Sequence, residues 1–207
     1  MALEVSGNVG PQGVAAGDGT VLRLRLGRTG DNIVTQLHSR YYEAMRVGKT
    51  FSAANQAAQV VSVALTTTYT GLALYNPVNS GRILVPIKIK YAVSVAPVAI
   101  ATIGLIAGFA ATGGVTAQTA TLGVQSNQIG NSGRSVGIAL SQATIVTPTW
   151  VYQLVDGFTA GALSAPTVAQ DLEGTFGLLP GAFIAIGALT AITGLGSITW
   201  EEVDLPL

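Results

Sequence analysis

Between Lys90 and Arg134 the chain carries no Asp, Glu, Lys or Arg. The first part of that run, YAVSVAPVAIATIGLIAGFA (91–110), has the polarity of a membrane helix and the length of about 20 residues that one needs. The residues before it point elsewhere. In ILVPIKIKYAVSV, Ile87, Ile89, Tyr91, Val93 and Val95 share one parity, while Lys88, Lys90, Ala92, Ser94 and Ala96 share the other. A period of two marks a half-buried strand, and it continues into the uncharged stretch. Pro97 ends that ladder, and residues 98–107 read as a second strand before the breaker ATGG at 111–114. A second uncharged run, 174–200, contains Pro180 and several Gly, and Glu173 and Glu201 flank it with no cationic anchor. Strands are expected in both runs, and no membrane partner. Lack of charge on 91–110 implies that both faces are covered, one by an opposite sheet and the other by an arm or a subunit. Gly104 and Gly108 form a G-x-x-x-G that chance explains in a chain with 26 Gly.

Short β-branched runs alternate with turn signals from residue 50 onward: QVVSVALTTT, GLALYNPVNSG, SVGIALS, WVYQLVDG, GTFGLL, AFIAIGAL and SITWEEV. NPVNSG (76–81) and SNQIGNSG (126–133) are strong loop punctuation. Eight or nine strands without a 3.6-residue period predict an all-β fold, a jelly-roll-like antiparallel β-sandwich spanning 50–207. Residues 1–49 hold half of all charges and read as an extended N-terminal arm with short strands; in TVLRLRL, Leu22, Leu24 and Leu26 alternate with Arg23 and Arg25.

Charged residues make up only 10% of the chain, well below the usual share of about a quarter. Such a surface suits a subunit largely covered by neighbours. The net charge of +0 argues against a nucleic-acid partner. That total hides a division: residues 1–134 hold all ten bases and four acids, and residues 135–207 hold six acids and no base. Complementary faces in a repeating assembly are one consequence. With no Cys there are no disulfides or thiolate metal sites, and the N-terminus lacks the pattern of a signal peptide.

Several motifs invite catalytic readings and fail on context. GRSVG (133–137) matches G-x-S-x-G around Ser135, but that elbow needs a strand before it, a helix after it and a downstream His. The one histidine, His38, lies upstream, and alone it makes no metal site. GKT (48–50) resembles the end of a phosphate loop, yet the position of its first Gly is Glu43. Asp171 with Glu173, and Glu201 with Glu202, read as solvated edges rather than an acid/base pair. No enzyme activity and no cofactor are expected. The residues assigned to assembly contacts are Arg23, Arg25, Arg28, Arg40, Tyr41, Tyr42 and Arg46, because Tyr and Arg are enriched at interfaces.

Three stretches, GRTGDNIVTQLHSRYYEAMRVGKTFSAANQAA (27–58), TGLALYNPVNSGRILV (70–85) and the ending PGAFIAIGAL…ITWEEVDLP (180–206), resemble virion structural proteins of tailed bacteriophages. The resemblance implies a non-enzymatic particle component, a jelly-roll cement (decoration) protein on the capsid surface, made in the host cytoplasm. Its partners would be the major capsid protein and copies of itself, as a trimer rather than a dimer. The alternatives are a tail, baseplate or head-fibre protein, and a carbohydrate-binding module with Trp150, Tyr152 and Trp200 as its platform.

Overall fold

A computed structural model describes residues 39–61, 68–110, 115–158 and 167–205. Arg23, Arg25, Arg28, His38 and most of the expected arm lie outside them. The helix α1 (Tyr42–Arg46) is followed by β1 (Thr50–Ala54), β2 (Gln59–Val61), β3 (Thr68–Tyr75), β4 (Arg82–Val95) and β5 (Ala101–Phe109). Then come β6 (Val115–Thr121), β7 (Gln125–Ser126), β8 (Ile138–Ile145), β9 (Thr149–Phe158), β10 (Thr167–Asp171), β11 (Ala182–Ala188) and β12 (Ile192–Asp204).

The strands form two antiparallel sheets packed against each other. The front sheet has the order β10-β4-β12-β1-β7, with β2 also paired to β12; the back sheet has the order β6-β8-β3-β11-β5-β9. Taking β1, β3, β4, β5, β9, β10, β11 and β12 as eight successive core strands, the first, eighth, third and sixth are neighbours in the front sheet. The second, seventh, fourth and fifth are neighbours in the back one. That is jelly-roll connectivity, two Greek keys wound together. The segment β6–β8 is an insertion between the fourth and fifth core strands, and it extends both sheets on one side.

Residues 91–110 become the end of β4, a turn through Pro97, and β5. The parity read from the sequence holds on β4 from Ile87 to Val93: Ile87, Ile89, Tyr91 and Val93 are buried between the sheets, and Lys88 and Lys90 project outward. It fails at Val95, which is exposed beyond a register shift at Thr193/Gly194. The β4–β12 register shifts between Thr199 and Trp200, which sets Leu84 and Pro86 on the core side with Trp200 and Glu202. GTFGLL (174–179), expected as a strand, is a loop that pairs with β4 through the isolated bridge Leu84↔Leu178. Its backbone follows Gly174 at φ 86, a left-handed turn that ends the ladder of β10.

The second face of β5 is covered, by the chain itself. In a flat sheet four strand spacings of about 4.8 Å would separate β8 from β9. The connection 146–148 spans at most about 14 Å, so the back sheet curls around its outer face. Ile106, Ala73, Leu140, Ala185 and Phe183 are thereby buried on the side away from the front sheet. Gly104 and Gly108 make this possible. A Cβ on Gly104 would meet the Trp150 ring at 2.5 Å, and one on Gly108 would lie 2.7 Å from the Val146 carbonyl oxygen. The G-x-x-x-G spacing is therefore a packing device between strands, not a chance pattern.

Helix α1 replaces part of the extended arm expected from the sequence. It is five residues long, carries a Glu43–Arg46 ion pair one turn apart and ends at Gly48, whose φ is 71. The Lys49 N–H reaches the Ala44 carbonyl and the Gly48 N–H that of Met45, a left-handed helix cap.

Candidate functional site

The local context of GKT is the reverse of a phosphate loop. Gly48 closes a helix instead of preceding one, Lys49 pairs with Asp204 at 3.3 Å, and Thr50 opens β1. Of the expected contact residues, Arg40 lies over the Tyr41 ring at 5.6 Å, Tyr42 starts α1, and Arg46 is bonded to Glu43 at 2.9 Å. The carbohydrate platform does not exist as proposed. Trp200 is 0% exposed against Phe51, Trp150 covers Gly104, and Tyr152 packs edge-on to Phe176.

Glu202 corrects the solvated-edge reading of the acids. It is 1% exposed because it follows Ile198 and Trp200 on the core-facing parity of β12. Its Oε1 accepts from the Ser135 hydroxyl at 2.6 Å and from the backbone N–H groups of Val136 and Gly137 at 2.9 and 3.1 Å. Its Oε2 accepts from Arg82 Nη1 at 3.0 Å. Hydroxyl and successive amides form an anion nest, and the chain's own carboxylate fills it. The G-x-S-x-G turn is thus a receptor for Glu202: both amides and the hydroxyl of the would-be nucleophile are engaged. The sequence reading set Glu201 and Glu202 on opposite faces of a solvated edge. The donors that take Glu202 inside come from β4 and from a loop more than sixty residues away, and left no trace in the sequence.

Two exposed surfaces differ sharply in chemistry. On the outer face of the front sheet a groove of about 370 Å³ is lined by Ser52, Ala54, Gln125, Ser197 and Thr199, with Lys88 and Lys90 projecting into it. Strand register explains the row: Thr199 pairs with both Ser52 and Lys88, and Ser197 with Ala54 and Lys90. Lys88 is held by Asp171 at 2.6 Å, while Lys90 has no ion pair among the described residues.

The second surface lies at the end of the sandwich where β4 finishes and β12 begins. Val60, Thr193 and Val95 are in one register row, with Leu195 nearby opposite Ala92. The β4–β5 turn adds Val98 and Ile100, and the β11–β12 turn adds Leu189. These turns are tied together by Leu189 N–H to the Thr102 carbonyl and the Thr190 hydroxyl to the Ile100 carbonyl. The six hydrophobic side chains are 39% to 92% exposed, with Val98 the most. Charges stop short of this end, at Lys90 on β4 and Glu201 on β12. The opposite end carries Lys49, Arg82, Glu201, Glu202 and Asp204. Among the described residues no group of three or more His, Asp or Glu side chains is placed to hold a metal ion, and no helix is long and apolar enough to cross a membrane. Comparisons with family models, with curated proteins and with solved structures returned no match.

Proposed function

We propose that this jelly roll is a non-enzymatic structural component of a tailed-phage virion, a cement protein that bridges and stabilises the capsid shell. One observation carries the reading: on one sandwich, the end where β4 finishes and β12 begins exposes an apolar cluster, while the charges of β4 and β12 gather towards the opposite end. A bridging protein needs two unlike contact surfaces held at fixed geometry, and two sheets sharing a continuous core supply that. The resemblance of the arm and both ends of the β-domain to virion proteins supports the same reading.

In this reading the groove around Lys88 and Lys90 faces acidic shell surface. Attachment is then weakened by salt, since exposed charges are screened within about 8 Å at physiological ionic strength. The test is electron microscopy of the virion with the sandwich fitted to density, together with binding of purified protein to empty capsids. Density over the head lattice, and at least tenfold weaker capsid binding by Lys90→Glu at low salt, are expected. Density confined to the tail vertex, a baseplate or fibres would overturn the cement role.

A further inference from the structure

The apolar end formed by Val60, Val95, Val98, Ile100, Leu189 and Leu195 stands exposed among the described residues. We infer that it is where copies of this chain meet one another, end to end around a rotation axis. The inference rests on the structural-protein reading but concerns the apolar end, which adjoins the groove assigned to the shell.

Three features select a second copy over another occupant. The first is size. At their observed exposures the six side chains present roughly 600 Å² of mostly apolar surface, at the upper limit for a lone soluble protein. That also approaches the roughly 800 Å² that each partner contributes to a standard interface. The second is charge. A patch that meets itself across a symmetry axis sets like charges face to face unless it has none, and here the charges of β4 and β12 stop before the patch begins. Among the described residues only Asp156, on the peripheral β9, falls in register with this end. A contact with an unrelated protein gains its specificity from complementary charge, which this end does not offer. The third is geometry. The patch is built from turns and strand ends, with Val60, Val95 and Leu195 at one end of the outer face of the front sheet and the Ser52, Thr199 and Lys88 row of the groove further along it. Closure around an axis then buries every copy of the patch and prevents open-ended growth.

The experiment measures the mass of the full chain in solution by sedimentation and light scattering over a concentration series. The wild-type chain is expected to be a discrete oligomer at about 10 μM, corresponding to dissociation in the micromolar range or tighter. Val98→Asp combined with Ile100→Asp sets unpaired carboxylates into an apolar contact and is expected to weaken association by more than about thirtyfold. Leu189→Glu, on the neighbouring turn, is expected to do the same, so the result does not depend on one loop. Ile129→Asp removes an 87% exposed side chain elsewhere and is expected to keep the wild-type mass. Unchanged thermal melting of each variant separates lost contact from lost fold. A wild-type chain that stays monomeric at about 100 μM would overturn the inference. So would oligomers that survive both the double variant and Leu189→Glu. Capsid binding with a monomeric chain would leave the cement reading standing and this inference refuted; a stable oligomer that ignores capsids would do the reverse.

Discussion

Glu202 is fully buried and Arg82 half-buried, so the two partners contribute unequally. Glu202→Gln replaces a carboxylate that takes four donors with an amide whose NH₂ must face either Arg82 or the Val136 and Gly137 amides. Arg82 stays partly exposed and keeps Asp204 at 3.5 Å, so the expected cost is about 1.5–3 kcal/mol, read as a lower urea midpoint with an unchanged slope. Ser135→Ala removes one of three bonds to Oε1 and is expected to cost about 1 kcal/mol. Equal losses for the two variants would show that the hydroxyl, not the carboxylate, organises loop 127–137. Asn76 does similar work at another turn: its Nδ2 donates to the Arg82 and Leu178 carbonyls, pinning the loop that the sequence marked by NPVNSG.

At the scale of elements, the least expected feature is the curl of the back sheet and the stacking of Trp150 on β5. Gly104→Ala puts a methyl group against both the indole and the Tyr152 carbonyl. The expected loss is about 1–3 kcal/mol, as for other overpacked cores. In a Trp150→Leu background the added penalty shrinks without vanishing, because the carbonyl contact remains. A double-mutant cycle by urea unfolding measures this, and strict additivity of the two changes would refute the stacking account. Strand positions were legible where one face is wet and the other dry, as on β4. They were poorly legible on β6 and β10, short edge strands of Thr, Ala and Gln whose pairing is set by their neighbours. The helix cap at Gly48 was missed for a related reason. Five residues give too little periodicity to register, and the cap, not the pattern, makes the helix.

The whole sandwich closes over two tyrosines. Tyr69 on β3 donates to the Leu72 and Ile186 carbonyls at 3.1 and 2.5 Å, whereas the Tyr91 hydroxyl on β4 has no hydrogen-bond partner among the described residues. Burial raises the pKa of both phenols above the ordinary value of 10.0, and Tyr69 is raised further by the neighbouring Tyr91. A raised folded-state pKa means that the native chain holds protons that the unfolded chain releases. Stability is therefore level below about pH 10 and falls as pH climbs through and beyond that value. Thermal melts between pH 8 and 11 check this, and Tyr69→Phe and Tyr91→Phe should each flatten the alkaline fall. At neutral pH they should differ. Tyr69→Phe leaves buried carbonyls unmet and costs about 1–3 kcal/mol, while Tyr91→Phe removes an unpaired buried hydroxyl and is neutral or stabilising. Matching alkaline slopes for wild type and both variants would refute the role of these phenols.

The sequence by itself determined the class of fold. A period of two, frequent turn residues and stretches without charge are local facts about which side chains tolerate water, and they forced strands with covered faces. It also denied the Ser135 and Lys49 motifs the elements they need. Only the tertiary structure decided what covers those faces. The second face of β5 is closed by Trp150 and the β8–β9 connection, and the Glu202 carboxylate is met by a loop distant in the chain. The uncharged end is assembled from strand ends and turns that lie far apart in sequence. Strand order, curl and register are collective outcomes of packing. No single segment encodes them, because each depends on which other surface the same residues find.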